Sequence, residues 1–341
     1  MTSEAPPFWW EEPDWRVLAL SPLSAVYAHA AGRGMRRARR EKIEAPVLCI
    51  GNFTVGGTGK TPVAIALAEQ ARRMHLNPGF LSRGHGGSFA EPHVVDAGHD
   101  SARHVGDEPL LLAEHAPVAV TPNRAAGARL LLEKHGCDFL IMDDGFQSAR
   151  IHIDYALVVV DARYGLGNGR VIPGGPLRAR IVDQLVFTSG LLKMGEGTAA
   201  DAVVRQAARA GRPIFEAHTE PAAGERLAGN RYLAFAGIGH PEKFFDTVRS
   251  SGGELVLSKP FPDHHFYAGD ELAELAATAR AEGLGLITTA KDAARLRHGA
   301  PREFLDRLDV LEIRTVFELA HVPGRIIEET LDAWRQRRLR G

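Results

Sequence analysis

The chain has 341 residues, of which 45% are apolar and 24% charged, with a formal net charge of -1 at pH 7. That balance predicts a soluble globular protein with room for two domains, and the near-neutral charge argues against a nucleic-acid partner. Cys49 and Cys137 are the only cysteines, which excludes a disulfide framework or a cysteine metal site and fits reduced thiols in the cytosol. No basic-then-apolar leader and no apolar run of bilayer length are visible.

Residues 1–13 are rich in Pro and Trp and read as irregular. Ser21-Pro22 reads as a helix cap and first turn, and Leu23, Val26, Tyr27 and Ala30 then recur at helical spacing. A basic block follows: Arg33, Arg36, Arg37, Arg39, Arg40 and Lys42. An apolar stripe ending in arginines suits a helix lying on an anionic membrane surface; it equally suits a helix packed on the protein with a solvated basic end. Residues 1–45 are therefore set apart as an N-terminal helical segment.

The next stretch carries the strongest signal. Pro46-Val47-Leu48-Cys49-Ile50 reads as a buried strand, Pro62 to Ala68 as a helix start, and between them stand Thr54, Val55, Gly56, Gly57, Thr58, Gly59, Lys60 and Thr61. Strand, glycine turn, Gly-Lys-Thr and helix make a P-loop: the glycines let backbone N–H groups surround a phosphate, Lys60 reaches the β- and γ-phosphates, and Thr61 holds Mg²⁺. The general pattern opens with Gly, and here that place is Thr54.

Downstream, residues 78–82 form a strand ending in Ser82-Arg83-Gly84, a polar turn of the kind that builds sites in open α/β sheets, which makes Arg83 a substrate candidate. Val105-Gly106-Asp107-Glu108-Pro109 opens a Leu-rich helix, where the two acids also suit a helix start. Residues 138–147 give an apolar strand ending in Asp143-Asp144-Gly145, a Walker B arrangement that places carboxylates near Mg²⁺; an ordinary Asp-Gly turn is the alternative. Tyr155 to Asp161 is a central strand. It runs into a long Gly/Pro loop, residues 163–176, with Asn168, Arg170 and, just beyond it, Arg178 as anion or substrate candidates.

Composition shifts near residue 190. Residues 46–195 read as a P-loop core domain, and residues 196–341 as a smaller α/β domain with strands at 213–219, 232–237, 254–258, 284–288 and 309–314 and helices at 241–250, 269–282 and 326–338. Within it, Asp263-His264 joins a carboxylate to a group that titrates near neutrality, and Lys291-Asp292 ends a strand as either a site loop or a helix cap.

These motifs together resemble the tetraacyldisaccharide 4'-kinase family, the lipid A 4'-kinases. The matching stretches run in the family's order: residues 51–62, 82–84, 105–109, 143–147, 167–170 with the Pro-Gly-Gly-Pro-Leu-Arg that follows, 263–264 and 291–292. Thr54, odd against the general P-loop, agrees with this family.

The resemblance implies an ATP- and Mg²⁺-dependent lipid kinase acting on the 4'-hydroxyl of an acylated glucosamine disaccharide 1-phosphate. It implies a peripheral enzyme on the cytoplasmic face of the inner membrane, with no obligate protein partner. Asp107 matches the family's base, His264 its partner, and Asp143 and Asp144 the acidic pair near Mg²⁺. His85, where Tyr is usual, and Ala179, where an acid is expected, depart from the pattern. A membrane-associated P-loop ATPase and a nucleotide-dependent scaffold are the alternatives. Val55 stands where cell-division ATPases carry a second Lys, and no Asn-Lys-x-Asp base-reading motif is present for a GTPase.

Overall fold

The computed structural model describes residues 5–57, 59–84, 91–148, 150–222 and 224–340. Thr58 and His85 lie outside the described residues. The strands are β1 Val47–Asn52, β2 Pro78–Ser82, β3 His93–Val94, β4 Val118–Val120, β5 Phe139–Asp143, β6 Tyr155–Asp161, β7 Gly190–Met194, β8 Ile214–Pro221, β9 Arg231–Ala236, β10 Glu254–Pro260, β11 Gly285–Thr289, β12 Leu308–Leu311 and β13 Ile313–Phe317. The helices are α1 Trp15–Arg37, α2 Lys60–Arg73, α3 Ala102–Val105, α4 Asp107–Ala113, α5 Arg124–His135, α6 Ile181–Leu185, α7 Asp201–Arg209, α8 Pro241–Ser250, α9 Gly269–Ala281, α10 Ala290–Leu296, α11 Arg302–Leu305 and α12 Val322–Leu339.

Among the described residues, nine strands form one sheet in the order β13-β8-β7-β6-β1-β5-β2-β4-β3. The pairs β8–β13 and β3–β4 are antiparallel and the other neighbours are parallel. β1 and β6 are buried along their whole length, as parallel strands covered on both faces must be. Alternation divides β1 between two cores. Leu48 and Ile50 pack with Val63 and Leu67 of α2 and Ile326 and Ile327 of α12. Val47 and Cys49 pack with Ala28 and Met35 of α1, Leu131 of α5 and Val203 of α7.

A second, all-parallel sheet has the order β10-β9-β11-β12. Phe244, Phe245 and Val248 of α8 cover one face, and Leu272, Leu275 and Ala279 of α9 the other. The division expected at residues 195/196 does not follow the sheets. β8 and β13 belong to the large sheet, and the stretch predicted as one strand at 309–314 is two, β12 and β13, one in each sheet. The second unit is thus an insertion between two paired strands. Ile313 pairs with Pro221, and Ala222 N donates to Glu312 O at 2.9 Å where the chain leaves and returns.

Helix α1 begins earlier than Ser21-Pro22. Asp14 caps it, accepting from Arg16 N at 2.9 Å, and Pro22 lies inside. A proline there leaves the carbonyl four residues back without its amide donor; that carbonyl belongs to Leu18, and Ser21 Oγ donates to it at 2.7 Å. Both readings of this helix hold in part. Val17, Ala28 and Met35 are buried on the protein, while Trp15, Leu18, Leu23 and Val26 are each at least 60% exposed. Among the described residues no helix is long and apolar enough to cross a membrane.

Candidate active site

β1 feeds the glycine turn, and α2 begins at Lys60. Gly56 has φ +112° and Gly59 φ +79°, values at which a side chain is strained. The loop is braced from behind by the Gly/Pro segment after β6. Val55 N donates to Pro176 O at 2.8 Å, Arg178 N to Phe53 O at 2.9 Å and Arg178 Nε to Thr54 O at 3.1 Å. Asn52 Nδ2 donates to Gly56 O at 3.2 Å. Lys60 is drawn inward to 4.0 Å from Asp144 Oδ1, and Thr61 is buried in the first turn of α2. A glycine turn at a helix N-terminus with an inward Lys is built to receive a phosphate.

The Asp pair ends the neighbouring strand, with Asp143 in register with Ile50 of β1. The two carboxylates differ in role. Arg178 takes Asp144 with two nitrogens, at 2.9 and 3.1 Å, and Asp144 sits at φ +50°. Asp143 is 2% exposed, and its Oδ1 is buried with no hydrogen-bond partner among the described residues. Burial, with Glu108 nearby, pushes the Asp143 carboxyl up to about 7. A buried carboxylate oxygen lacking a donor is what a cation would satisfy. Among the described residues no group of three or more His, Cys, Asp or Glu is placed to hold a metal.

Gly106 at φ +93° separates α3 from α4 and makes Asp107 the first residue of α4. Asp107 is buried. Its Oδ1 accepts from Glu108 N at 3.0 Å, and its Oδ2 from His264 Nδ1 at 3.2 Å and Arg295 Nε at 3.1 Å. Burial raises its pKa, but the His264 hydrogen bond and the charges of Lys291 and Arg295 outweigh this and hold Asp107 below the usual carboxylate range. The same bond raises His264, whose side chain remains 47% exposed. His264 itself has φ +58°, and its N–H donates to Gly237 O at 3.1 Å, fixing the turn. Lys291 Nζ pairs with Glu108 at 2.6 Å, which holds Glu108 low.

Asp107 and His264, 157 residues apart in sequence, are thus in contact. Glu108 beside them feels the charge of Lys60, which ties this pair to the P-loop. The substrate candidates divide. Asn168 is spent on its own loop and the N-terminal segment, donating to Gly174 O at 2.9 Å and Phe8 O at 3.2 Å. Arg178 is spent on Asp144 and the P-loop; Arg83 and Arg170 are exposed. Ala179 is fully buried and offers only its carbonyl, to Gln184 Nε2 at 2.7 Å.

Sequence reasoning missed Glu108 and Arg295 as site residues. Lys291-Asp292 serves both roles left open for it. Thr289 caps α10 through Asp292 N at 3.1 Å, and Lys291 reaches Glu108. The four-residue step from Lys291 to Arg295, one turn along the same helix face, was the available signal. Tyr164 stacks on His240 at 4.4 Å, and Lys243 pairs with Asp161, a further link between the units.

A glycine cradle at the end of a central parallel strand, with a Walker B aspartate on the next strand, defines an α/β protein of the P-loop class. The model of the tetraacyldisaccharide-1-P 4'-kinase family matches residues 16–331. The tetraacyldisaccharide 4'-kinase of Mesorhizobium japonicum is 87% identical over 340 residues, covering 100% of each chain. That of Brucella anthropi is 55% identical over 339 residues, covering 99% of each. A crystal structure of LpxK from Aquifex aeolicus in complex with ATP has the same fold, with a TM-score of 0.72 at 23% identity over 92% of this chain and 99% of that one. The chain belongs to the tetraacyldisaccharide-1-P 4'-kinase family.

Proposed function

We propose that this chain transfers the γ-phosphate of ATP to the 4'-hydroxyl of tetraacyldisaccharide 1-phosphate, a step of lipid A biosynthesis. Family membership supplies the reaction. The observation that supports the mechanism is the contact between Asp107 and His264, with the neighbouring Glu108 within electrostatic reach of Lys60. A sugar hydroxyl is a weak nucleophile at neutral pH, and a positioned carboxylate–imidazole pair accepts its proton as the phosphoryl group arrives. Asp107 acts as the base through His264: the neutral imidazole takes up the hydroxyl proton, and the buried carboxylate stabilises the charge that develops on the ring. A scaffold that only bound nucleotide would have no use for this pair.

Lys60 and the glycine turn hold the triphosphate. Mg²⁺, held by Thr61 and Asp143, would neutralise charge on the phosphates. Asp144 acts from behind, fixing Arg178 and the P-loop. Arg83 and Arg170 remain exposed cations suited to the substrate's 1-phosphate.

The acyl chains keep the substrate in a bilayer, so the enzyme works at its surface. The outward apolar side chains of α1 and the arginines after it suit the cytoplasmic face of the inner membrane; no obligate protein partner is required.

Purified protein with ATP, Mg²⁺ and the acylated disaccharide 1-phosphate should yield the bis-phosphorylated product, and a deacylated analogue should be a poorer substrate. Absence of product from the acylated substrate would refute the assignment.

A further inference from the structure

Arg295 is an unusual residue to find beside a base. Its side chain is 1% exposed, and it comes from the inserted unit, 188 residues along the chain from Asp107. The guanidinium lies between two carboxylates. Nε donates to Asp107 Oδ2 at 3.1 Å, and Nη1 donates to Asp292 Oδ1 at 2.8 Å and to His265 O at 3.3 Å.

Asp292 is itself fixed. It accepts from Gly237 N at 3.0 Å, Tyr267 Oη at 2.6 Å and Thr289 Oγ1 at 2.6 Å, and it is fully buried. A buried cation needs compensating anions, and here Asp292 anchors it while Asp107 shares it with His264. We propose that Arg295 is a positioning residue for the Asp107–His264 pair: it holds Asp107 Oδ2 against the imidazole and divides that carboxylate's charge between guanidinium and imidazole.

The consequence concerns the proton. An isolated Asp107 would pull hard on the His264 proton, and an imidazole that stays protonated cannot receive charge from the substrate hydroxyl. Arg295 takes part of that pull. Other charged groups surround the pair. Glu108 lies on α4, Lys291 and Asp292 on α10, and Asp263 before α9, its Oδ2 3.9 Å from His264 Nε2. Glu108 in turn lies within electrostatic reach of Lys60 of α2 and Asp143 of β5, and Arg103 of α3 is occupied over Phe266 at 5.0 Å. Among the described residues, Arg295 is the buried cation bonded directly to the oxygen that His264 uses.

The inference rests on the kinase reading, and its test separates the two. The His264 imidazole is titrated by NMR in the full-length wild type, Arg295→Gln and Asp292→Asn, without substrate. Arg295→Gln should raise the His264 pKa by about one unit, as loss of a nearby like charge does. It should move the acid limb of the pH–rate profile up equally and lower kcat at pH 7 about tenfold, with KM for ATP within about twofold. Asp292→Asn should shift His264 the other way, because the guanidinium then faces Asp107 alone. An unmoved His264 pKa in folded Arg295→Gln, or shifts of the same sign in both variants, would overturn the role. If Arg295→Gln does not fold, the direction of the Asp292→Asn shift decides. Inactive wild type with the expected NMR shifts would sink the kinase reading and leave the charge-sharing intact.

Discussion

Asp107 and Asp143 are both buried carboxylates, yet their surroundings push them apart. Asp107 has cationic partners and stays ionised; Asp143 has an unpartnered oxygen and an anionic neighbour. The first is suited to stabilise a positive charge on the imidazole beside it, the second to wait for a cation. Asp107→Ala should lower turnover about a hundredfold or more, measured at saturating ATP; near-normal turnover would remove Asp107 from the chemistry.

For Asp143 the folded value of about 7 lies above the ordinary 3.8. The folded chain therefore binds this proton more tightly, and stability from this group declines as pH rises from about 4 to about 7. Mg²⁺ must displace the same proton, so the half-saturating Mg²⁺ concentration should rise towards about tenfold per unit below pH 7. Asp143→Asn should raise the metal-free melting temperature at pH 8 and change it little at pH 4. A Mg²⁺ requirement independent of pH would exclude Asp143 as a ligand. The P-loop and the position of the two aspartates at a strand end were legible in the sequence because both are local patterns; that Asp144 would be taken by Arg178 was not. Arg295 was not, since a guanidinium's role depends on which distant carboxylate the fold sets beside it.

Elements with one strong period were readable and those defined by their neighbours were not. β6 and α8 fall where spacing placed them, at Tyr155–Asp161 and Pro241–Ser250. The start of α1 was obscured because Ser21-Pro22 imitates a helix start. The Ser21 Oγ bond to Leu18 O satisfies the carbonyl that an interior proline leaves without its amide donor.

Two predictions belong at this scale. Gly106→Ala forces a side chain onto φ +93° between α3 and α4. It should cost about 1–3 kcal/mol and lower turnover, since Asp107 is the next residue; unchanged melting and turnover would show that the turn has no such control. Leu18→Ser combined with Val26→Ser alters side chains 73% and 70% exposed. Thermal stability should stay within about 0.5 kcal/mol, while co-sedimentation with anionic vesicles falls. Undiminished co-sedimentation would move the lipid contact elsewhere.

At the scale of the molecule, the α/β class was legible and the path of the chain was not. Residues 309–314 look like one continuous strand, because nothing in local hydrophobicity records that Leu311 closes one sheet and Ile313 opens pairing in another. Three ion pairs join the units: Asp107 and Glu108 of α4 and Glu114 just after it meet Arg295, Lys291 and Arg297. The P-loop lies on one unit and the imidazole on the other, so the reactive constellation exists only when the two are docked.

The antiparallel pairing of β8 with β13 also marks where the gene could be shortened without disturbing the phosphate cradle. Splicing Pro221 to Ile313 through a two-residue turn would convert the departure and return points into an ordinary hairpin. Such a miniature should fold as an autonomous ATP binder, visible by calorimetry, yet transfer no phosphate, having surrendered both its imidazole and the guanidinium behind it. Failure to fold would show that the nine strands depend on their guest.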